Sequence, residues 1–131
     1  MERERINAFG NSLDTQNFVF VKTENKGKFV KILIKDICYI EGLGNYITIH
    51  TCEGGKTITY GTLTEIVDFL PSTFIRIHKS YVVSVDSIQI IEGNQLKMSN
   101  KKDIPLGTGY RENLFQALGS KFIGGKVHKE S

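Results

Sequence analysis

ICYIEGLGNYITIHTCEGGKTITY, residues 37–60, decides the fold. Inside it, YITIHT alternates Tyr46, Thr48 and His50 against Ile47, Ile49 and Thr51. A period of two sends successive side chains to opposite faces, the pattern of a half-buried strand. ICYIEG before it and TITY after it are also rich in β-branched and aromatic residues. The glycine-bearing breaks GLGN and EGGK separate the three runs. Short runs of this kind, joined by turn residues, predict antiparallel sheet and argue against βαβ units.

The same pattern extends in both directions. FVFVKTENKGKFVKILI, residues 18–34, gives two more runs around the turn signal Asn25-Lys26-Gly27. Downstream, the period changes at Thr62, where Leu63, Ile66, Val67 and Leu70 follow helical spacing. Thr62 and Glu65 stand at capping-box positions, and Pro71 comes directly after Leu70. This predicts one short amphipathic helix whose apolar face covers a sheet. Strand patterns resume in YVVSV, SIQIIEG and QLKMSN, with hairpins at Gly93-Asn94 and Asn100-Lys101-Lys102. DIPL is a short extended piece. From about Gly109 the period is helical again, with Tyr110, Leu114, Leu118 and Phe122 on one side and Phe115 beside them. The expected fold is mainly β, with one short internal helix and a C-terminal helix. Residues 1–17 read as a polar linker or tail, 18–122 as the domain and 123–131 as a flexible tail.

A chain of 131 residues suits one domain. Such a domain buries roughly two-thirds of its unfolded surface, enough for a real core. Seventeen Lys and Arg against 14 Asp and Glu give a net charge of only +3. That excludes a histone-like polycation, so an anionic partner has to be met by a local patch. No apolar run is long enough to span a bilayer and MERERINAFG has no h-region, so a soluble cytoplasmic protein without a membrane partner is expected. Cys38 and Cys52 have no ligand spacing and read as free reduced thiols; a redox-sensing pair is the functional alternative.

Catalytic signals are weak. His50, His78 and His128 have no metal-ligand spacing with one another or with the cysteines. His50 reads as a surface or edge residue and His128 falls in the tail. No nucleophile elbow or acid pair stands out, and GLGN and EGGK read as β-turns and match no phosphate-binding fingerprint. The chain is therefore not expected to be an enzyme, nor to hold a metal or cofactor. FIRIHKSYVV, residues 74–83, stands apart. Arg76, His78 and Lys79 occur there without an acid, among apolar Ile77, Tyr81, Val82 and Val83. Its plain reading is a connector pinned to the core with its basic groups solvated. Two further segments carry related chemistry. GLGNYIT puts Asn45 and Tyr46 at a turn tip, and PLGTGYRE puts Thr108, Gly109 and Arg111 at a strand-to-helix junction. Helix N-termini present free N–H groups suited to phosphate. Long basic groups hold phosphates, while Asn, His, Arg and Lys can read base edges, so the set suits duplex DNA.

Three words, ICYIEGLGNYITIHT at 37–51, TLTEIVDFLPSTFIRIHKSYVVSVDSI at 62–88 and IPLGTGYRENLFQAL at 104–118, occur in order and at proper spacing. In these the chain resembles the LytTR family of bacterial DNA-binding domains, from about Phe18 to Leu118. Phe74, Arg76, His78, Ser80, Tyr81 and Val83 fall in the family's most diagnostic segment. The resemblance implies an elongated stack of small antiparallel sheets with a short helix packed on it. It implies loops that enter successive major grooves on one face of double-stranded DNA. It also implies the output half of a two-component response regulator, which regulates transcription from paired direct repeats and bends the DNA. By position, the first loop corresponds to Gly44, Asn45 and Tyr46, the middle contact to His78 and Lys79, and the last loop to Gly107, Thr108 and Gly109. Many relatives carry Ser-Arg-Arg or a similar basic group at the last loop. Here the contact is expected from Thr108, or from Arg111 in the first helical turn. Arg76 is expected to satisfy backbone carbonyls and Ser80 to bond within its own turn. Residues 1–17 cannot hold a receiver domain, so a chain shortened from a longer regulator is expected ahead of a free-standing one. In the full-length system a receiver domain and a sensor kinase would be partners, with two copies on tandem sites.

Two other readings compete. In a protein-interaction module the strands would pair edge to edge and the basic loops would meet an acidic partner. The salt needed to elute the protein from duplex DNA or heparin separates that from DNA binding. A small β-barrel enzyme ranks last, because no acid, base and nucleophile can be assembled from the sequence.

Overall fold

Tight turns set the register of this protein. The computed structural model describes residues 17–125; the 1–16 part of the expected linker and the 126–131 part of the expected tail, with His128, lie outside them. Strands β1 (Phe18–Lys22) and β2 (Phe29–Leu33) form a hairpin with Phe18 opposite Leu33. Its turn is closed by the Lys28 N–H donating to the Asn25 carbonyl at 3.0 Å, and Gly27 there has φ +77°. β3 (Ile37–Leu43), β4 (Tyr46–Thr51), β5 (Lys56–Tyr60), β6 (Phe74–His78) and β7 (Tyr81–Ser84) form one antiparallel sheet in the order β5-β4-β3-β7-β6. β8 (Ile88–Glu92), β9 (Gln95–Met98) and β10 (Asp103–Pro105) form a third sheet in the order β10-β9-β8. The segment FIRIH is thus the edge strand β6 and not a connector: its period-2 residues Ile75 and Ile77 carry it onto the sheet.

The five-stranded sheet is the middle layer. Ile40, Ile47, Ile49 and Val82 face the β1–β2 hairpin and the helix α1 (Leu63–Val67), where they meet Val21, Ile32 and Leu63. Tyr39, Ile77 and Val83 face the other way, onto Leu96, Met98 and Ile104 of the third sheet and Leu114 of helix α2 (Arg111–Leu118). Two bulges adjust this alternation, at Cys38 between Ile37 and Tyr39 and at Ile77 between Arg76 and His78. A bulge places neighbouring residues on the same face and bends the strand. So Cys38 and Tyr39 both join the second core. Cys38 and Cys52 are free. The Cys38 sulfur lies 3.6 Å from the Ser99 hydroxyl, and burial pushes its thiol pKa up.

Helix α1 forms where the sequence places it. The Thr62 side chain accepts from the Glu65 N–H at 3.3 Å and the Glu65 carboxylate accepts from the Thr62 N–H at 3.0 Å, a complete capping box. The α-helix stops at Val67, and single turns carry the chain on to Pro71. Gly42 is not part of the turn its GLGN context suggests. It lies in β3, and a Cβ there would stand 2.9 Å from Leu63 Cγ, so glycine allows α1 to pack against the sheet. The C-terminal helix is shorter than its apolar spacing suggested. It ends at Leu118 before Gly119, at φ +57°, and Phe122 stacks on Phe115 from beyond the helix at 5.2 Å. Among the described residues, no helix is long and apolar enough to cross a membrane.

Candidate nucleic-acid interface

Three chain reversals meet at one end of the middle sheet. In the first, Leu43 pairs with Tyr46 across a two-residue loop, Gly44-Asn45. Gly44 has φ +62°, which a hairpin turn with glycine at its first central position requires. Asn45 is exposed at the apex, and its carbonyl accepts from the Gly61 N–H at 2.7 Å. β7 lies beside β3, with Tyr81 opposite Glu41 and the Gly42 N–H donating to the Ser80 carbonyl at 2.9 Å. That sets the Lys79-Ser80 turn next to the first tip. On the outer side of β6, the Gly107 N–H donates to the Ile77 carbonyl at 2.8 Å. Residues 107–110 are thereby held against the far flank of the same turn. Strands lie about 4.8 Å apart, so the row from Asn45 past Lys79 to Thr108 crosses roughly 15–20 Å.

The middle tip is fixed from both faces. Arg76 lies opposite Val82, on the α1 side. Its Nε donates to the His78 carbonyl at 3.1 Å and its Nη2 to the Lys79 carbonyl at 2.6 Å. From the other side, His78 Nδ1 accepts from the Ser80 N–H at 3.0 Å. A ring nitrogen that accepts carries no proton, so in the neutral ring Nε2 is the donor. The local bond expected of Ser80 is therefore made by its backbone N–H and not by its hydroxyl. Lys79 is exposed and has no ion pair among the described residues.

At the third tip, Thr108–Tyr110 form a single 3-10 turn leading into α2, with Thr108 and Gly109 exposed. Gly107 is tight: a Cβ there would stand 3.0 Å from the Tyr110 ring and 3.6 Å from the His78 ring. Arg111 is exposed in the first turn of α2 and anchored at one nitrogen. Its Nη1 donates to the Gly93 carbonyl at 2.8 Å, and its guanidinium lies 4.9 Å from the Phe115 ring centre. It clasps the β8–β9 tip to the start of α2. That tip, Gly93-Asn94, lies next to the third, since the Leu106 N–H donates to the Asn94 carbonyl at 2.8 Å. In the sequence it reads only as a hairpin. The available signal was the repeated Gly-Asn pair, with Gly93 at φ +59° beside Gly44 at +62°. Tyr46 is 44% exposed and meets Tyr60 edge-on at 5.3 Å, so it lies at the surface beside the first tip.

Behind the tips, polar and aromatic groups run along the second face of the sheet. Glu41 accepts from Tyr81 Oη at 3.4 Å and from His50 Nε2 at 3.2 Å. The Tyr39 ring stacks on His50 at 4.3 Å, and the Tyr81 ring lies 5.6 Å from His78. His50 was expected at a surface or edge. Instead it sits in β4, an interior strand of the sheet, with its side chain only 13% exposed. Burial pulls its pKa below the usual imidazole value; Glu41 pulls the other way, less strongly. The His50–Glu41 contact is thus a hydrogen bond from a neutral ring and not an ion pair at neutral pH. Because the folded pKa is depressed, this contribution is fully present above the unfolded pKa, about 6.5. It is lost as pH falls through the folded value, with a slope of at most about 1.4 kcal/mol per pH unit. Urea midpoints at about pH 7 and about pH 5.5 are expected to differ more for the parent than for His50→Gln. Identical pH dependence in the two would show that His50 does not resist protonation.

The model of the LytTr DNA-binding domain family matches residues 27–119. Among solved structures, the LytTr DNA-binding domain of a Bacillus cereus protein described as a methyl-accepting/DNA response regulator is similar in fold. The TM-score is 0.69 and the sequence identity 24%, covering 79% of this chain and 98% of that one. No curated protein matches this chain in sequence. The family match takes in every strand from β2 onward, both helices and all three tips, and on that extent the chain belongs to the LytTR family of DNA-binding domains.

Proposed function

We propose that residues 18–122 form a transcription-regulating unit that reads paired direct repeats in double-stranded DNA with the three tips, two copies binding tandem sites. In this reading it is the output half of a cytoplasmic two-component response regulator, controlled by a receiver domain and a sensor kinase. Lys79 holds a phosphate. Asn45 reads a base edge, with Tyr46 packed beside it. His78 offers Nε2–H to an acceptor, and the Thr108 hydroxyl makes a short contact. Arg111, held at Nη1 by the Gly93 carbonyl, is exposed and keeps further N–H donors for a DNA contact from the first helical turn. No cofactor or metal enters.

The observation that carries this reading is the row itself. The Gly42–Ser80 and Gly107–Ile77 hydrogen bonds bring Asn45, Lys79 and Thr108 to one end of one sheet. Tips on a stiff sheet lose little ordering entropy when they bind. The test is selection of bound duplexes from a random pool. A pair of short direct repeats is expected; a bound pool without a repeated word would overturn the readout. With that site in hand, Asn45→Ala is expected to relax preference at one position of each repeat, by about 1–3 kcal/mol for a bidentate contact. An unchanged preference profile removes Asn45 from base reading.

A further inference from the structure

The turn that carries Lys79 has two neighbouring carbonyls, those of His78 and Lys79, and a single guanidinium serves both. The third nitrogen of that group, Nη1, lies 3.5 Å from the Thr64 hydroxyl in α1. The rest of the turn is held as well: the Ser80 N–H by His78 Nδ1 and the Ser80 carbonyl by the Gly42 N–H. The bulge at Ile77 separates Arg76 from His78, so the two side chains approach the turn from opposite faces of the sheet. A planar fork fixes direction as well as distance, which a flexible ammonium does not. Backbone carbonyls held this way set the direction in which the Lys79 side chain leaves the tip.

We propose that Arg76 is a positioning residue for Lys79, acting on DNA through the backbone of the tip and not by touching the duplex. The proposal rests on the DNA-reading function above and gives the carbonyl-satisfying role expected of Arg76 a consequence for binding. All three guanidinium nitrogens already face protein oxygens. Arg76 therefore contributes nothing to binding once Lys79 has no side chain to aim.

The test is a double-mutant cycle on the selected duplex, with the salt dependence measured for each protein and folding checked by circular dichroism. Lys79→Ala is expected to weaken binding, and Arg76→Met to weaken it by a comparable factor. Adding Arg76→Met to Lys79→Ala is expected to change affinity by less than about twofold, the scatter of non-interacting sites. Arg76→Lys, which keeps the charge and loses the fork, should behave like Arg76→Met; it also completes the cycle should Arg76→Met fail to fold. Parental affinity for Arg76→Lys overturns the proposal. So does a further fall of about 0.9 in salt slope when Arg76→Met is added to Lys79→Ala, since it marks a direct phosphate contact. If Lys79→Ala binds like the parent, the role of Lys79 in DNA reading fails and the clamp falls with it. A weakened Lys79→Ala with multiplicative effects sinks the clamp alone.

Discussion

Leu114→Ala is expected to lower the free energy of unfolding by about 2–5 kcal/mol, read as a drop in the urea midpoint with little change in slope. Leu114 has no solvent exposure and is the buried residue of α2. A helix of eight residues has no stability of its own, so packing has to hold it. Leu114 supplies that packing in the second core, beside Ile77, Leu96, Ile104 and Leu106. Truncation opens a cavity where both the third sheet and β6 meet the helix. Exposed Gln116→Ala on the same helix is the control, expected within about 0.5 kcal/mol of the parent. A loss under about 1 kcal/mol for Leu114→Ala would mean that the site collapses or that α2 is held by something else. The consequence reaches the interface, because the third tip is the lead-in to this helix. Faster amide exchange at Gly107, whose N–H bonds to the Ile77 carbonyl, should accompany the loss.

The layered sheets could be read from the sequence because their signals are local. Alternation in YITIHT, the capping pair Thr62 and Glu65 and the glycine turns each act within a few residues, and each appears in the structure with its expected bonds or register. What could not be read depends on position in three dimensions. His50 alternates like a solvent-facing strand residue, yet the solvent face of an isolated hairpin becomes a half-buried face once the third sheet packs on it. The bulges at Cys38 and Ile77 break the period by one residue and leave no mark in residue type, so the two sides of FIRIH could not be assigned. Without that assignment the face that each of Arg76, His78 and Lys79 takes is not fixed. In the fold, two of them brace the turn and the third stands free of any ion pair among the described residues. The same holds for Arg111. Its partner, the Gly93 carbonyl, lies 18 residues away in sequence, in the turn between β8 and β9.

That division of labour makes Lys79→Ala the sharpest functional prediction. Loss of a charged contact to phosphate should weaken binding by about 1.5–3 kcal/mol at low salt, and by a similar factor for every duplex, because a phosphate carries no base identity. The plot of log affinity against log salt should lose about 0.9 from its slope. Both effects follow from one displaced counterion per neutralised phosphate and need no change in fold, since the exposed Lys79 side chain makes no contact the core depends on. Lys79→Arg should keep the slope, because charge and not shape is the term being measured. Isotherms at several salt concentrations, on the selected site and on an unrelated duplex, separate the outcomes. Parallel lines for mutant and parent exclude a phosphate role for Lys79. Loss confined to the selected site would instead make Lys79 a reader of bases, with the middle tip seated in the groove and not on the backbone.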